Sequence, residues 1–141
     1  MSAYKKIKCN LVDKESLLKA LEVLGFQADV YENAINLKGY KNDTRKEVAN
    51  IIVTKEQLNS FTGASNDLGF LWNEEEKKYE MICSEYDTAH KIDERVIQAY
   101  TKVVLEEALE KQGFKIKVNI ADVDLQNKKQ IPIQIVARKI I

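Results

Sequence analysis

The 141-residue chain has little of what catalysis and cross-linking need: two cysteines, one histidine and one proline. Cys9 and Cys83 lie far apart and form no CxxC pair, which argues against a structural zinc site and favours a reducing compartment. Each lies in a strand-like run, where a buried thiol acts as a small apolar side chain. His90 precedes a predicted helix with no nucleophile at a suitable spacing, so an exposed or helix-capping histidine is favoured over a catalytic one.

The chain also lacks an excess of one charge and a long apolar run. Lys+Arg and Asp+Glu both number 22, and this net charge of zero argues against a general polyanion binder. No apolar run approaches the roughly 18 residues of a membrane helix, and residues 1–6 contain no apolar signal core. A composition of 45% apolar and 31% charged residues is typical of a globular protein. These features predict a single cytoplasmic domain over residues 1–141, without membrane contact.

No set of acidic residues forms a metal motif. Asp122 and Asp124 share one side of an extended segment and could hold Mg²⁺. Lysines 128 and 129 follow closely, however, and a solvated acid pair is the favoured interpretation. A glycine-rich phosphate loop is also missing. The chain is therefore predicted to have no resident metal, no cofactor and no enzymatic activity.

The spacing of apolar residues predicts an α+β fold in the order β-α-β-β-β-β-β-α-β-β. The predicted elements are strand 4–12, helix 14–24 with Asp13 as its N-cap, a hairpin of strands 26–30 and 34–40 with a turn at Glu32-Asn33, strand 48–54, strand 67–73, strand 79–84, a long helix from about residue 88 to 112, and strands 114–120 and 131–138. Residues 55–66 are predicted to be a loop. Together these elements predict a single curved, antiparallel-rich sheet with two helices packed on it. Residues 48–54 are apolar on both sides, which places them inside the sheet, whereas Pro132 predicts an edge position.

The stretch from residue 67 to 73 contains Trp72, the only tryptophan. Alternate apolar residues of this stretch point to one side of a strand, which favours a core role. The alternative is a binding site, because Gly69 leaves a gap that a ligand or another backbone could approach closely. Asp67 and Asn73 would flank that gap with polar groups. The candidate ligand- or partner-binding residues are therefore Asp67, Gly69, Trp72 and Asn73.

Lysines on two predicted strands indicate a second surface. Lys6 and Lys8 share the outward side of the first strand with Tyr4, and Lys115 and Lys117 lie on the outward side of strand 114–120. If these strands are neighbours, they form a basic sheet face with an aromatic residue, which could follow a nucleic-acid backbone. Lysines also solubilise sheets and protect their edges, and this alternative stays open.

The stretch 67–73, followed by Tyr79-Glu80, resembles a family of uncharacterised proteins encoded in algal plastids, cyanobacteria and other bacteria, known as hypothetical chloroplast reading frame thirty-five. The likeness extends to an opening strand with Ile7, a helix that ends like residues 20–26, a Lys38-Gly39-Tyr40 element, and a late helix that carries Tyr100 and ends near Gly113-Phe114. Residues 74–78 and 121–141 depart from the family pattern. The family has no established activity, so the resemblance implies a small soluble protein and no catalytic residue. Its association with gene neighbourhoods that include an ATPase implies an accessory role.

The sequence thus predicts a non-enzymatic binding or accessory protein for a protein partner or small ligand. Its predicted binding surface lies near Gly69, Asn73 and residues 55–66. A nucleic-acid or nucleotide binder that uses the lysine face is the alternative. A homodimer formed through an exposed sheet edge is compatible with either function.

Overall fold

The computed structural model describes the backbone of residues 3–118 and 135–139, and the side chains of residues 3–113. The strands are β1 (Tyr4–Leu11), β2 (Asp29–Lys38), β3 (Thr44–Val53), β4 (Leu68–Asn73), β5 (Lys78–Ser84), β6 (Phe114–Val118) and β7 (Ile135–Lys139). The helices are α1 (Lys14–Val23), α2 (Lys55–Thr62), α3 (Glu85–Ala89) and α4 (Ile92–Lys111). Strands β1 to β5 form an antiparallel sheet in the order β1-β5-β4-β3-β2. The predicted α+β class, with helices packed on an antiparallel sheet, is confirmed.

The strand that carries the tryptophan lies at the centre of this sheet. Strand β4 is the third of the five strands and pairs with β3 on one side and β5 on the other. Phe70 lies opposite Ile51 of β3 and Met81 of β5. Strand β3 is also an interior strand, as its doubly apolar sequence predicts. The edge strands are β1 and β2.

One face of the sheet, which we call the helix face, is covered by α1 and α4. Side chains alternate between the two faces along a strand, and Leu68, Phe70 and Met81 point to this one, where all three are completely buried. The same cluster contains Leu17, Ala20 and Leu21 of α1 and Ile92, Val96, Ala99, Tyr100 and Val103 of α4. Burying a large apolar side chain contributes about 1.5–3 kcal/mol, so this cluster is the main source of stability.

Polar contacts fix α1 beside α4. Asp13 caps α1 as predicted, and its carboxylate accepts a hydrogen bond from the Ser16 amide at 2.9 Å. The hydroxyl of Tyr100 in α4 accepts hydrogen bonds from the amides of Val12 at 3.1 Å and Asp13 at 3.0 Å. The connection between β1 and α1 is thereby fastened to α4. Gly25 follows α1 with a φ of 88°, the left-handed conformation that its position predicts.

The opposite face, which we call the open face, is covered only in part. Leu37, Ala49, Ile52 and Ile82 form a second and smaller buried cluster there. Leu71 borders this cluster and is only half-buried. The β2–β3 hairpin supplies three of its four buried side chains, Leu37, Ala49 and Ile52, from one end of the sheet.

The β2–β3 hairpin curls over the open face. Strand β2 is not a neighbour of β4, yet the amide of Asp67, just before β4, donates to the carbonyl of Lys38 at 2.9 Å. The hydroxyl of Tyr4, on the other edge strand, donates to the same carbonyl at 3.3 Å. The two edges of the sheet therefore approach each other at this end. Register shifts in the β1–β5 and β2–β3 pairs allow this curvature.

The predicted hairpin within residues 26–40 is wrong, because β2 is one continuous strand. Its predicted turn at Glu32-Asn33 coincides with a register shift between Val30 and Ile35. The side-chain amide of Asn50 donates to the carbonyls of Tyr31 at 3.3 Å and Glu32 at 3.1 Å. A side chain from β3 thus binds the irregular segment of β2, which bulges without turning.

The predicted loop over residues 55–66 is also wrong, because residues 55–62 form α2. Thr54 is the N-cap residue, but its side chain makes no capping hydrogen bond. The carboxylate of Asp67 accepts a hydrogen bond from the Lys55 amide at 2.9 Å instead. Gly63 ends the helix in the left-handed conformation, with a φ of 89°.

Two further predictions are corrected near the end of the chain. The long helix is divided into α3 and α4, because Lys91 adopts a left-handed φ of 64° between them. Strand β6 pairs with β7 in a separate two-stranded sheet and does not join β1 to β5. The predictions for Pro132 and for the Asp122–Asp124 pair lie outside the described residues.

Candidate functional site

The carboxylate of Asp67 joins three elements at one end of the sheet. Its Oδ2 accepts a hydrogen bond from the Lys38 amide and its Oδ1 accepts one from the Lys55 amide, both at 2.9 Å. Asp67 is only 5% exposed, and hydrogen bonds to a charged acceptor are stronger than neutral ones. The end of β2, the start of α2 and the segment that leads into β4 are therefore held together.

Asn66 extends this joint towards α3. Its side-chain Oδ1 accepts a hydrogen bond from the Tyr40 amide at 2.9 Å. Its main-chain amide donates to Oδ2 of Asp87 at 3.2 Å. Asn66 therefore connects the turn between β2 and β3 with the first turn after β5.

Asp87 is a completely buried carboxyl group behind Asn66. The Ser84 hydroxyl donates to its Oδ2 at 2.8 Å and accepts from its amide at 3.1 Å, so Ser84 caps α3. Burial raises the pKa of the Asp87 carboxyl, while hydrogen bonds from Ser65, Ser84 and the Asn66 amide oppose this rise. The Asp87 carboxyl is thus contacted by neutral hydrogen-bond donors in the interior.

Tyr4 and Arg45 complete the same corner. The Tyr4 hydroxyl donates to the carbonyl of Asp67 at 2.7 Å. Burial, and then the nearby charge of Asp67, raise the pKa of Tyr4, so its hydroxyl stays protonated as a donor. The guanidinium carbon of Arg45 lies 5.0 Å from the centre of the Tyr4 ring, a cation–π distance. Arg45 also forms an ion pair with Asp43 at 3.8 Å.

An open cleft of about 450 Å³ lies over this network, and we call it the Tyr40 cleft. Its walls include Tyr40 from the β2–β3 turn, Arg45 from the start of β3, Asn66 before β4, and Glu85 and Tyr86 from α3. Tyr40 is 51% exposed. The Tyr86 hydroxyl donates to the carbonyl of Thr62 at 2.6 Å, which fixes its ring. The cleft combines aromatic side chains, charges of both signs and a main chain that is fixed by hydrogen bonds.

The structure does not bring the predicted residues Asp67 and Asn73 together. They lie at opposite ends of β4, about 20 Å apart at about 3.3 Å per residue. Asn73 supports the turn after β4: its Oδ1 accepts from the amides of Glu75 and Glu76, both at 3.0 Å, and its amide group donates to Glu80 at 2.9 Å. The two polar residues therefore do not flank one pocket.

The predicted gap at Gly69 is filled from within the protein. A Cβ atom at this position would lie 2.7 Å from the Ala49 Cβ and 2.9 Å from a methyl group of Leu37. Gly69 thus allows the curled hairpin to approach β4 closely. The idea that Gly69 opens a ligand site is corrected, because the side chains of Leu37 and Ala49 occupy this space.

Trp72 packs at the margin of the helix face, as its core interpretation predicts. Its ring meets the Tyr79 ring edge to face, with 4.9 Å between the ring centres. Its indole NH donates to Glu74 at 2.6 Å. Trp72 is therefore half-buried, and its contacts with Tyr79 and Glu74 make it part of the β4–β5 hairpin.

The predicted lysine face is not continuous. Lys6 and Lys8 are exposed on β1, whereas Lys115 and Lys117 belong to β6 in the separate sheet. Strands β1 and β6, which carry the two pairs of lysines, are not neighbours. The side chains of Lys115 and Lys117 lie outside the part of the chain whose side chains the structure describes. Lys6 forms an ion pair with Glu80 at 3.8 Å.

The cysteines and the histidine occupy structural positions. Cys83 is buried and Cys9 is half-buried. Burial raises the pKa of the Cys83 thiol to about 12 and also raises that of Cys9, so both thiols are protonated at neutral pH. His90 is exposed and caps α3, with its Nδ1 2.8 Å from the carbonyl of Tyr86. Among residues 3–113, no three His, Cys, Asp or Glu side chains are grouped to hold a metal ion.

Sequence reasoning missed most of the Tyr40 cleft. Tyr40 carried a signal as part of the Lys38-Gly39-Tyr40 element, and Asn66 lay within residues 55–66 of the predicted binding surface. Arg45, Asn66 and Tyr86 are separated by 20 or more positions along the chain, and no spacing rule connects them. The curl of the β2–β3 hairpin brings them together.

The fold and the cleft define a small α+β protein whose exposed aromatic and charged residues surround a buried polar network. The chain belongs to the family described as protein of unknown function DUF1257, whose sequence model matches residues 20–128. The match includes every residue named in the walls of the Tyr40 cleft. No curated protein and no solved structure matches the chain. None of the described helices is both long and apolar enough to cross a membrane.

Proposed function

We propose that the chain is a non-enzymatic, cytoplasmic binding or accessory protein that holds a segment of a partner protein in the Tyr40 cleft. The observation that carries this proposal is the meeting of Tyr40, Arg45 and Tyr86 in one concave surface. Tyrosine and arginine are enriched at the energetic centres of protein interfaces. A half-exposed tyrosine on a tight turn offers a large contact area at low entropic cost.

The buried network beneath the cleft supports the proposal. The main chain of Tyr40 is held by Asn66, and the Asn66 main chain is held by Asp87. Both walls are thus fixed before a partner arrives. Preorganisation of this kind reduces the entropy that binding must overcome.

The charges of the cleft favour a protein segment over a polyanion. Lys41 and Arg45 provide positive charge, whereas Asp43 and Glu85 provide negative charge. A peptide that presents both signs can complement this pattern. A nucleic-acid backbone, which presents one sign, would meet repulsion from the two carboxylates.

Affinity capture from native lysate tests the proposal with a matched pair of variants. Tyr40→Ser removes the central aromatic residue, and Phe61→Ser removes an aromatic residue of similar exposure, 53%, outside the cleft. We expect Phe61→Ser to retain the partner of the wild type. Tyr40→Ser should weaken the binding of that partner about 30-fold, the loss typical of a tyrosine at the centre of an interface. Identical captured proteins for all three forms would contradict the proposal, provided that thermal unfolding shows each to be folded.

The resemblance to hypothetical chloroplast reading frame thirty-five supports an ATPase as the class of partner. ATP hydrolysis measured in the captured fraction tests this finer proposal. We expect activity in the fraction from wild type and none in the purified chain alone. Hydrolysis by the purified chain would contradict the non-enzymatic role.

Exposed lysines on β1 support nucleic-acid binding as a second candidate. Lys5, Lys6 and Lys8 are all exposed on this edge strand. Retention on an immobilised polyanion at rising salt tests it, because each phosphate contact adds to the salt dependence. Retention that is lost in the Lys6→Glu/Lys117→Glu double variant would favour this candidate. Absence of retention at low salt would eliminate it.

A further inference from the structure

A strip along one side of α4 is exposed beside an open groove of about 410 Å³. Thr101, Val104 and Ala108 are exposed in this strip, Val104 to 39%, and Ile97 is half-buried. Val12, which follows β1 and is 49% exposed, lines the groove beside them. A continuous apolar strip on a surface helix indicates an interaction site.

The spacing of the strip matches a helix that packs along a second helix. Ile97 and Val104 are seven residues apart, as are Thr101 and Ala108. Steps of four and three residues alternate along these positions, which is the pattern of a heptad seam. One further step of three residues at each end reaches a charged residue. We call these six residues the α4 seam: Glu94, Ile97, Thr101, Val104, Ala108 and Lys111.

The α4 seam is complementary to itself when a second copy lies antiparallel to it. About a twofold axis at the middle of the seam, Ile97 meets Ala108 of the second copy. Thr101 likewise meets Val104. Each layer joins a larger side chain to a smaller one, so the spacing between the two helices can stay constant along the seam. The hydroxyl of Thr101 donates to the Ile97 carbonyl at 2.8 Å, so its burial between the helices leaves no donor unpaired.

Opposite charges meet at both ends of this antiparallel pair. Glu94 lies in the first turn of α4 and Lys111 lies in its last turn, so the carboxylate of each copy approaches the ammonium group of the other. A parallel pair would place Glu94 beside Glu94 and Lys111 beside Lys111, and like charges so close are unfavourable. Glu94 lies 3.8 Å from Lys91 of its own chain with its side chain 39% exposed, so it stays accessible to a second ammonium group. The charges therefore favour the antiparallel arrangement.

We propose that two copies of the chain associate through antiparallel α4 seams. The seam extends over about 25 Å, at about 1.5 Å per residue, which is short beside a standard interface that buries about 1,600 Å². We therefore expect a reversible dimer with a Kd of about 10–100 μM. The inference does not depend on the Tyr40 cleft, which shares no lining residue with the groove beside α4.

Sedimentation equilibrium of the full chain, at concentrations up to about 1 mM, tests the proposal. Val104→Glu places an unpaired carboxylate in both central layers and should weaken association about 100-fold or more. Val23→Glu is the matched control, because it makes the same change at a valine of α1 that is 52% exposed and lies outside the seam. It should leave the Kd of the dimer unchanged.

An exchange of charges tests the orientation of the two helices. Glu94→Lys and Lys111→Glu each bring like charges together in the antiparallel pair, and each should weaken association about fivefold. The double variant pairs opposite charges again and should regain most of the affinity. In a parallel pair every one of these variants keeps like charges together, so the double variant would regain nothing.

Three results would overturn the proposal. The first is a wild-type chain that stays monomeric up to about 1 mM. The second is an equal Kd for Val104→Glu and Val23→Glu, which indicates a dimer formed through another surface, such as a sheet edge. The third is a double charge variant that regains none of the affinity that its single variants lose. Thermal unfolding shows whether each variant is folded, and the charge exchange decides the question if Val104→Glu is not.

Discussion

The two faces of the five-stranded sheet differ in how they are covered. On the helix face, α1 and α4 close a large apolar cluster around Phe70. On the open face, a smaller cluster of four buried residues lies beneath a curled hairpin, and Leu71 beside this cluster is only half-buried. The Tyr40 cleft lies at the end of that hairpin. The difference indicates that the helix face provides most of the stability, whereas the hairpin that partly covers the open face forms the cleft that we propose as the binding surface.

Phe70→Ala gives the largest expected effect and compares the faces at adjacent positions. Phe70 is completely buried on the helix face, so its truncation should lower the free energy of unfolding by about 3–5 kcal/mol. Leu71→Ala, its neighbour on the open face, should cost about 1–2 kcal/mol because Leu71 is half-buried. Urea unfolding of both variants measures the difference. Equal losses of stability in Phe70→Ala and Leu71→Ala would contradict the proposed difference between the two faces.

Asp67→Ala tests the joint beneath the Tyr40 cleft. The substitution leaves the amides of Lys38 and Lys55 without their acceptor, and we expect a loss of about 2–4 kcal/mol in the free energy of unfolding. Asp29→Ala, which removes an exposed carboxylate at the start of β2, is the control and should change the stability by less than about 0.5 kcal/mol. If the two variants are equally stable, Asp67 does not have the role assigned to it.

Gly69→Ala tests how closely the hairpin approaches β4. The added methyl group meets Ala49 and Leu37 at less than 3 Å, so we expect a loss of about 1–3 kcal/mol from overpacking. Adding Ala49→Gly removes the nearer contact and should restore part of the loss, as a double-mutant cycle in urea can measure. A neutral Gly69→Ala would show that the position is open, as the sequence alone suggests.

Asp87→Asn has the smallest expected effect and concerns the buried charge behind the cleft. Burial raises the pKa of this carboxyl in the folded chain above its ordinary value of 3.8. The contribution of Asp87 to stability is therefore greatest below 3.8 and is lost as the pH rises through the folded pKa. Asparagine keeps an acceptor for Ser84 and for the Asn66 amide, so the variant should gain up to about 1 kcal/mol relative to wild type at neutral pH.

Urea unfolding at acidic and neutral pH measures that difference. We expect the advantage of Asp87→Asn to shrink as the pH falls. An advantage that is constant with pH would mean that Asp87 does not titrate as its burial indicates. A variant that is less stable at neutral pH would mean that the charge itself stabilises the corner.

Local patterns predicted the elements whose causes are local. The cap at Asp13 needs only Ser16, three positions away, and the apolar residues on both sides of β3 predict its interior place in the sheet. These features follow from a few consecutive residues, and the structure confirms them.

Features with distant causes were mispredicted. The capping carboxylate of α2 comes from Asp67, twelve positions after Lys55, so residues 55–62 looked like a loop. The gap at Gly69 is filled by Leu37, which no neighbouring residue reveals. The Tyr40 cleft depends on the same long-range curl, and its residues could not be grouped before the hairpin was placed.

Site-specific photo-crosslinking tests the central claim most directly. A benzophenone side chain at position 40 lies in the cleft, and the same group at position 61 lies at an exposed position outside it. In native lysate, we predict a distinct crosslinked species from position 40 that is absent from position 61. Equal crosslinking at both positions, or crosslinking only at position 61, would contradict the assignment of binding to the Tyr40 cleft.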